Sequence, residues 1–300
     1  MSAGGTGLNK IDSFPKMLAP GLWVLGNYYF NLYLVKGEQG TAIVEAGVSA
    51  VVDDVIAQLQ SLKLSPTFLV VTHPHADHVT GLPGLKEKYP QLLVVAGEGT
   101  PEFLNHSKAA EAIITEDKHM AAFLNSQGIM PGRLPLDELP TLENCLIAAD
   151  GDEMDLGGMM LRYVSVKGHA PGEIVIHIPE IRSLILSDCL GFRYPGRGVF
   201  PLFFTGYSDY LSTLDQLQSL NPDIIGPAHQ GPVFGEDVEQ AFEEARREAI
   251  LLRKQIVSDP RTTEQVAKDI FEKYYRDELR IYTAENIMKC ARLLVKRARE

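Results

Sequence analysis

The segment VTHPHADHVTG, residues 71–81, places His73, His75, Asp77 and His78 within six positions at the end of an apolar run. Imidazoles and carboxylates hold divalent cations, and burying several of them without a partner is costly. His73 and His75 are two apart, so at the end of an extended strand they can point the same way. Asp77 and His78 are adjacent and cannot share that direction in a strand. They can serve a second centre if the chain turns there. Pro74 keeps the segment out of a helix, because the residue before a proline is pushed to extended geometry. The spacing suits two metal centres side by side, supplied from one loop.

Each centre needs further donors, since a catalytic zinc takes about three protein ligands and keeps one position open. His169 in VSVKGHAPGE, Asp188 at the end of SLILSD and His229 in IIGPAHQG each follow an apolar run. Each is expected to emerge on the same sheet edge. A lone histidine after a strand is more often structural than a ligand; three such positions beside the dense motif reverse that balance. His106 and His119 lie away from any strand end, and His177 sits inside GEIVIHIP. These three read as structural or surface histidines, and Cys189, next to Asp188, as a small buried residue. No G-x-S-x-G elbow occurs, so a serine triad has no support.

The elements that must position these residues are legible as runs. LWVLG, NLYLVKG and TAIVEAG (22–46) read as antiparallel strands, and Val52, Val55, Ile56, Leu59 and Leu62 mark a helix over 49–62. PTFLVVTH and LLVVAG are further strands. Residues 101–142, broken by Pro131, Pro135 and Pro140, read as a helical insertion between two halves. A second strand-rich half is expected from 146 through 188, then a helix over 208–220 capped by Ser208, then a last strand in NPDIIGPAHQG. Two such halves imply two facing sheets with helices outside, a four-layer α+β sandwich spanning 1–235. Helices fill 236–300. The first carries an apolar stripe over 236–257, Thr262 and Gln265 have capping-box spacing, and Thr283 can cap the last. That last helix has Ile287, Ala291, Leu294 and Ala298 on one face and Lys289, Arg292, Lys296 and Arg299 on the other, a solvated face or an anion contact. Having no sheet of their own, these helices are expected over the site entrance.

Composition fits a globular chain of 300 residues, with 45% hydrophobic and 22% charged residues. No apolar run reaches the roughly 18 residues needed to cross a bilayer. The start does not read as a signal peptide, and three scattered cysteines, Cys145, Cys189 and Cys290, suggest a reducing compartment. The expected location is therefore the cytoplasm. A net charge of −11 argues mildly against a polyanion binder. The expected partner is a small-molecule substrate, without membrane or nucleic acid, in a monomer or homodimer.

THPHADHVTG resembles the HxHxDH signature of the metallo-β-lactamase superfamily, and KGHAPGE, LSDCLG and GPAHQG resemble its later motifs in order. The resemblance covers residues 18–235 and implies an αβ/βα sandwich with a dinuclear site at its edge. It implies that His73, His75 and His169 bind one metal, that Asp77, His78 and His229 bind the other, and that Asp188 bridges. Glu45 in VEAG stands where the family commonly has aspartate, which puts the outer support of the ligands in question. Two such metals hold a hydroxide as nucleophile, with Asp77 a ligand and proton acceptor, so the expected reaction is hydrolysis of an activated acyl or phosphoryl bond.

The stretch LGFRYPGRGVFPLFF and the YLSTLDQLQSL helix are similar to the quinolone-signal response thioesterase branch, whose metals are iron. This implies a thioester or ester hydrolase with two divalent ions, zinc or iron. Phe192, Arg193, Tyr194, Phe200, Phe203, Phe204 and Tyr207 are candidates for an apolar substrate pocket, or for packing under the terminal helices. Glyoxalase II remains an alternative, with the basic last helix facing its substrate. A lactonase is weakened by Gly191, where that branch often has tyrosine. A phosphodiesterase or endoribonuclease, and a non-catalytic regulator, are readings of other classes. The ligand set argues against the regulator.

Overall fold

In the computed structural model the described residues are 13–142, 144–194 and 196–300. β1 (Lys16–Ala19), β2 (Leu22–Gly26), β3 (Asn31–Lys36) and β4 (Thr41–Val44) form an antiparallel meander. The chain continues through α1 (Val52–Leu62), β5 (Phe68–Val71), α2 (Ala76–Val79), α3 (Leu82–Lys88), β6 (Leu93–Gly97), α4 (Thr100–Leu104), α5 (Ser107–Ser126) and β7 (Leu146–Ala148). β5, β6 and β7 add to β4 in parallel, giving a seven-stranded sheet in chain order. The second half contributes β8 (Glu153–Asp155), β9 (Met160–Ser165), β10 (Ile174–Ile178), β11 (Ser183–Ser187), the hairpin β12 (Phe192–Tyr194) and β13 (Gly198–Phe200), α6 (Tyr207–Ser219), β14 (Ile224–Pro227) and β15 (Val233–Phe234). Six of these strands form a sheet in the order β15-β14-β11-β10-β9-β8. α7 (Glu236–Ser258), α8 (Thr263–Tyr274) and α9 (Ala284–Arg299) complete the chain.

Alternating side chains build three cores. In β3, Tyr33 and Val35 face β10's Ile174, Ile176 and Ile178 between the sheets, while Leu32 and Leu34 face α1, α3 and α5 outside. On the other sheet, Val175, Leu184, Leu186 and Ile225 face α6, α7 and α9. Three apolar layers separate four structural layers, as the two-half reading requires. Among the described residues no helix is long and apolar enough to cross a membrane.

Two expectations are corrected. LIA (146–148) belongs to the first sheet, not the second, because it pairs in parallel with β6. A parallel neighbour needs a crossover of about a dozen or more residues, so residues 101–142 are a crossover within the first half rather than an insertion between halves. Ser208 does not cap α6. Gly206, in extended backbone, holds the N-cap position, and Ser208 lies in the first turn. The caps expected at Thr262 and Thr283 are present: Thr262 and Gln265 form a reciprocal capping box, and Thr283 accepts from the Asn286 amide.

Candidate metal centre

β5 ends at Val71, and the chain bends through His73, Pro74 and His75, the last in extended backbone, before α2 begins at Ala76. That switch carries Asp77 and His78 into a second donor group, although the rings of His73 and His78 stay 3.9 Å apart. His169, Asp188 and His229 follow β9, β11 and β14. These three strands run the same way, because β9 and β11 are each antiparallel to β10 and β14 is parallel to β11. Their C-terminal ends therefore open at one edge, the usual place for ligands in open sheets. Glycine is needed at Gly168, whose φ is +112° and where an added Cβ would lie 2.4 Å from Tyr210 Cα.

All seven side chains meet there in two groups that share Asp188: His73, His75, His169 and Asp188, and Asp77, His78, His229 and Asp188. In the first, His73 Nε2 lies 3.0 Å from His75 Nδ1, and His169 Nε2 lies 3.3 and 3.2 Å from them. In the second, Asp77 Oδ2 lies 3.4 Å from His78 Nε2 and 3.3 Å from His229 Nε2. Asp188 reaches His78 and His169 through Oδ2 at 3.5 and 3.6 Å, and His229 through Oδ1 at 3.5 Å. Donors about 2.0–2.1 Å from one tetrahedral cation are about 3.3–3.4 Å apart; the separations here run from 3.0 to 3.6 Å, with His73 Nε2 to Asp188 Oδ2 at 3.9 Å.

The hydrogen bonds behind the donors fix their tautomers. Thr72 gives its one hydroxyl hydrogen to Glu45 Oε1 at 2.7 Å, so its oxygen accepts from His73 Nδ1 at 3.1 Å. His169 Nδ1 donates to the Leu202 carbonyl and His229 Nδ1 to the Tyr29 carbonyl. His78 Nδ1 donates to Glu45 Oε2 at 2.8 Å, and its buried Nε2 has no hydrogen-bond partner. Each of these four imidazoles thus turns an Nε2 lone pair toward its own donor group, His73 and His169 to the first and His78 and His229 to the second, the arrangement that supports metal ligands. Glu45, at φ 79°, stands in a strained left-handed backbone, and its longer side chain reaches both Thr72 and His78.

Charge leads to the same conclusion. Glu45, Asp77 and Asp188 are buried together, and among the described residues their ion pairs are with histidines, not lysine or arginine. Buried charge of this kind is paired or holds a metal. Burial, then the neighbouring imidazoles, drives the His73 pKa well below its ordinary value. Burial, then His169, takes His75 down to about 3, and burial also lowers His169. These three are therefore neutral, the form that binds metal. At His78, burial acts downward but Glu45 and Asp77 outweigh it and raise the pKa. At Asp188, burial acts upward but His78, His229 and His169 outweigh it and bring the carboxyl down to about 2. The residues present fit two cations.

A test lies at Glu45. In Glu45→Gln the amide offers one acceptor where two donors need one, so either Thr72 or His78 loses its partner. The Asp77 group contains His78, which Glu45 bonds directly, and its affinity for metal is expected to fall about 10–100-fold; that of the His73 group, supported only through Thr72, is expected to fall less. Competition titration with a chromophoric chelator measures both; equal losses at the two groups would contradict this geometry.

The donors open into a cavity of about 400 Å³. Its floor is His75, Asp77, His169 and Asp188; its walls include Phe103, Ile113 and Met120 from α4 and α5, Phe192, Phe200, Leu202 and Phe204, and Ile287 and Leu293 from α9. Of the seven residues expected to line a pocket, Phe192, Phe200 and Phe204 do so, and Arg193, Tyr194, Phe203 and Tyr207 do not. Phe203 turns into the core against Tyr207 and Tyr210, Tyr194 donates to the Tyr274 carbonyl, and Tyr207 lies under the Arg253 guanidinium. Arg193 falls on the opposite face of its strand, between Phe192 and Tyr194. Sequence reasoning missed the α5 wall and Tyr282, whose hydroxyl donates to Asp77 Oδ2 at 2.7 Å. No motif spacing marks either one. His119 bonds the Arg280 carbonyl, away from the donors.

A two-sheet sandwich carrying paired His/Asp groups at one edge defines a class of metal-dependent hydrolase. The metallo-beta-lactamase superfamily profile matches residues 29–229, and the chain belongs to that superfamily. It is 25% identical over 228 residues to the human acyl-coenzyme A thioesterase MBLAC2, covering 68% of this chain and 75% of that one. It is 27% identical over 186 residues to a hydroxyacylglutathione hydrolase of Ruegeria pomeroyi, covering 62% of this chain and 55% of the relative. A solved metallo-beta-lactamase family protein from Thermus thermophilus superposes with a TM-score of 0.65 at 21% identity, over 90% of this chain and 93% of the other.

Proposed function

We propose that the protein hydrolyses a thioester or ester whose acyl part is an apolar chain. The observation that carries this reading is the cavity: the buried donors form the floor of a chamber whose walls are aliphatic and aromatic. Phe204 and Phe192 lie against the donor imidazoles, with ring centres 5.5 Å from His169 and 5.4 Å from His229. The thioesterase relative, whose name specifies an acyl-coenzyme A, supports the same class.

In this reading His73, His75 and His169 hold one divalent cation, Asp77, His78 and His229 hold a second, and Asp188 serves both, with zinc or iron as the metal. The two cations would supply an activated water near neutral pH and a Lewis acid for the acyl oxygen. Glu45 and Thr72 hold His78 and His73 in the binding tautomer. Asp77 faces the chamber and takes the proton released as the acyl bond breaks. The chamber walls exclude water from the reacting carbonyl and position the chain. Of the basic face of α9, Lys289 reaches the chamber lining and is paired with Glu285, while Arg292 pairs with Glu264 and Arg299 with backbone carbonyls of Asp259 and Arg261. That favours an acyl substrate over a phosphodiester.

The test is metal analysis of protein purified without chelator, then a panel of thioesters, esters, lactones and phosphodiesters. Each methylene buried in the chamber is worth about 0.8 kcal/mol, so kcat/KM is expected to rise about fourfold per added methylene until the chamber is full. Ala112 lines the chamber from α5, so Ala112→Phe should stop that rise at a shorter chain. Rates independent of chain length, or turnover of phosphodiesters alone, would overturn the reading.

A further inference from the structure

One side chain from the helical extension stands among the metal donors. Tyr282 follows the 3-10 turn Asp277–Ile281 and precedes α9. Its phenol oxygen is 2.7 Å from Asp77 Oδ2 and 3.1 Å from His229 Nε2, closer to each than they are to one another at 3.3 Å. The residue is anchored on both sides: Tyr275 donates to its carbonyl, and the next amide, of Thr283, donates to Glu116 Oε2. Phe192 and His229 meet the ring edge to face.

Those three distances constrain any occupant. A cation about 2.1 Å from both Asp77 Oδ2 and His229 Nε2 must, by triangle geometry, lie within about 3.7 Å of the phenol oxygen, whichever side it takes. Tyr282 also lines the cavity together with Asp77 and Asp188. We propose that Tyr282 is an oxygen ligand of the second cation, resting on the reading that these groups hold two metals. When the cation binds, the phenol proton leaves to solvent and the phenolate oxygen bonds the metal in place of its hydrogen bond to Asp77. The second position then has three anionic oxygens and two imidazoles, against one carboxylate and three imidazoles at the first. Tyrosinate is an established ligand of ferric iron, and an oxygen-rich position suits that harder ion, so the second position favours ferric iron over zinc.

The experiment titrates metal-stripped full-length protein with ferric citrate, following visible absorption and bound iron in parallel. Wild type should develop a phenolate-to-iron charge-transfer band as the Asp77 position fills, with phenolate modes in the resonance Raman spectrum. Tyr282→Phe should lose the band, keep one equivalent unchanged, and bind the other at least about tenfold more weakly than wild type. Two bound irons without a band in wild type, or the same band in Tyr282→Phe, would overturn the assignment of Tyr282 while leaving the two-cation reading intact. Protein that takes up two zinc ions but no iron would overturn the assignment alone, and protein that binds neither metal would overturn both. The wild-type spectrum is decisive even if the variant fails to fold.

Discussion

Asp188→Asn is expected to empty both metal positions and to reduce acyl hydrolysis by at least about a thousandfold. Asp188 is the residue common to both groups, with Oδ2 turned to His78 and His169 and Oδ1 to His229. An asparagine presents one oxygen and one amide nitrogen there, and the amide has no lone pair to offer a cation. The loss is large because the nucleophile depends on the metals: coordination takes water from a pKa of about 15.7 to about 7. A second readout is stability. A ligand present at about 1,000 times its Kd adds about 4 kcal/mol to the folded state, so chelator-treated wild type and untreated Asp188→Asn should melt together, below the metal-loaded protein. Metal analysis, turnover and melting curves check the prediction. Two metals retained with full activity would show that the shared carboxylate is not a bridge.

The donor set was legible because its chemistry is dense along the chain. Four donors within six residues, and three more each just past an apolar run, are one-dimensional signals of a shared sheet edge. The chamber was not legible for a physical reason. The stripe with Ile113 and Met120 shows that α5 buries a face, but an amphipathic pattern does not say what that face meets. The aromatic run after Asp188 misled in the same way. Phe200 and Phe203 are chemically alike and three apart, yet one lines the chamber and the other fills the core beneath α6. Sheet membership failed at β7 because the strand's own residues do not encode its neighbour; the length of the preceding crossover does. Tyr282 is more than two hundred residues from Asp77 in sequence, and only the packing of the terminal helices brings the two together.

Ending the chain after Phe234 is expected to leave no cooperatively folded protein. The boundary at 235 marks where strands stop, but the hydrophobic layer does not stop there. Val238, Phe242, Ala245, Leu252 and Ile256 of α7, Ile270 and Tyr274 of α8 and Ile287, Leu294 and Val295 of α9 are buried in one cluster with Leu184 and Leu186 of β11, Phe200 of β13 and Tyr210, Leu214 and Leu217 of α6. Each large side chain returned to water costs about 1.5–3 kcal/mol. Exposing even the last six exceeds much of the roughly 5–15 kcal/mol that holds a typical domain together. The expected product is insoluble, or a compact species that binds ANS and lacks near-ultraviolet circular dichroism. A soluble truncated chain with one sharp melting transition would instead mark 236–300 as a separable domain. Loss of turnover in that folded chain would then report a missing chamber wall.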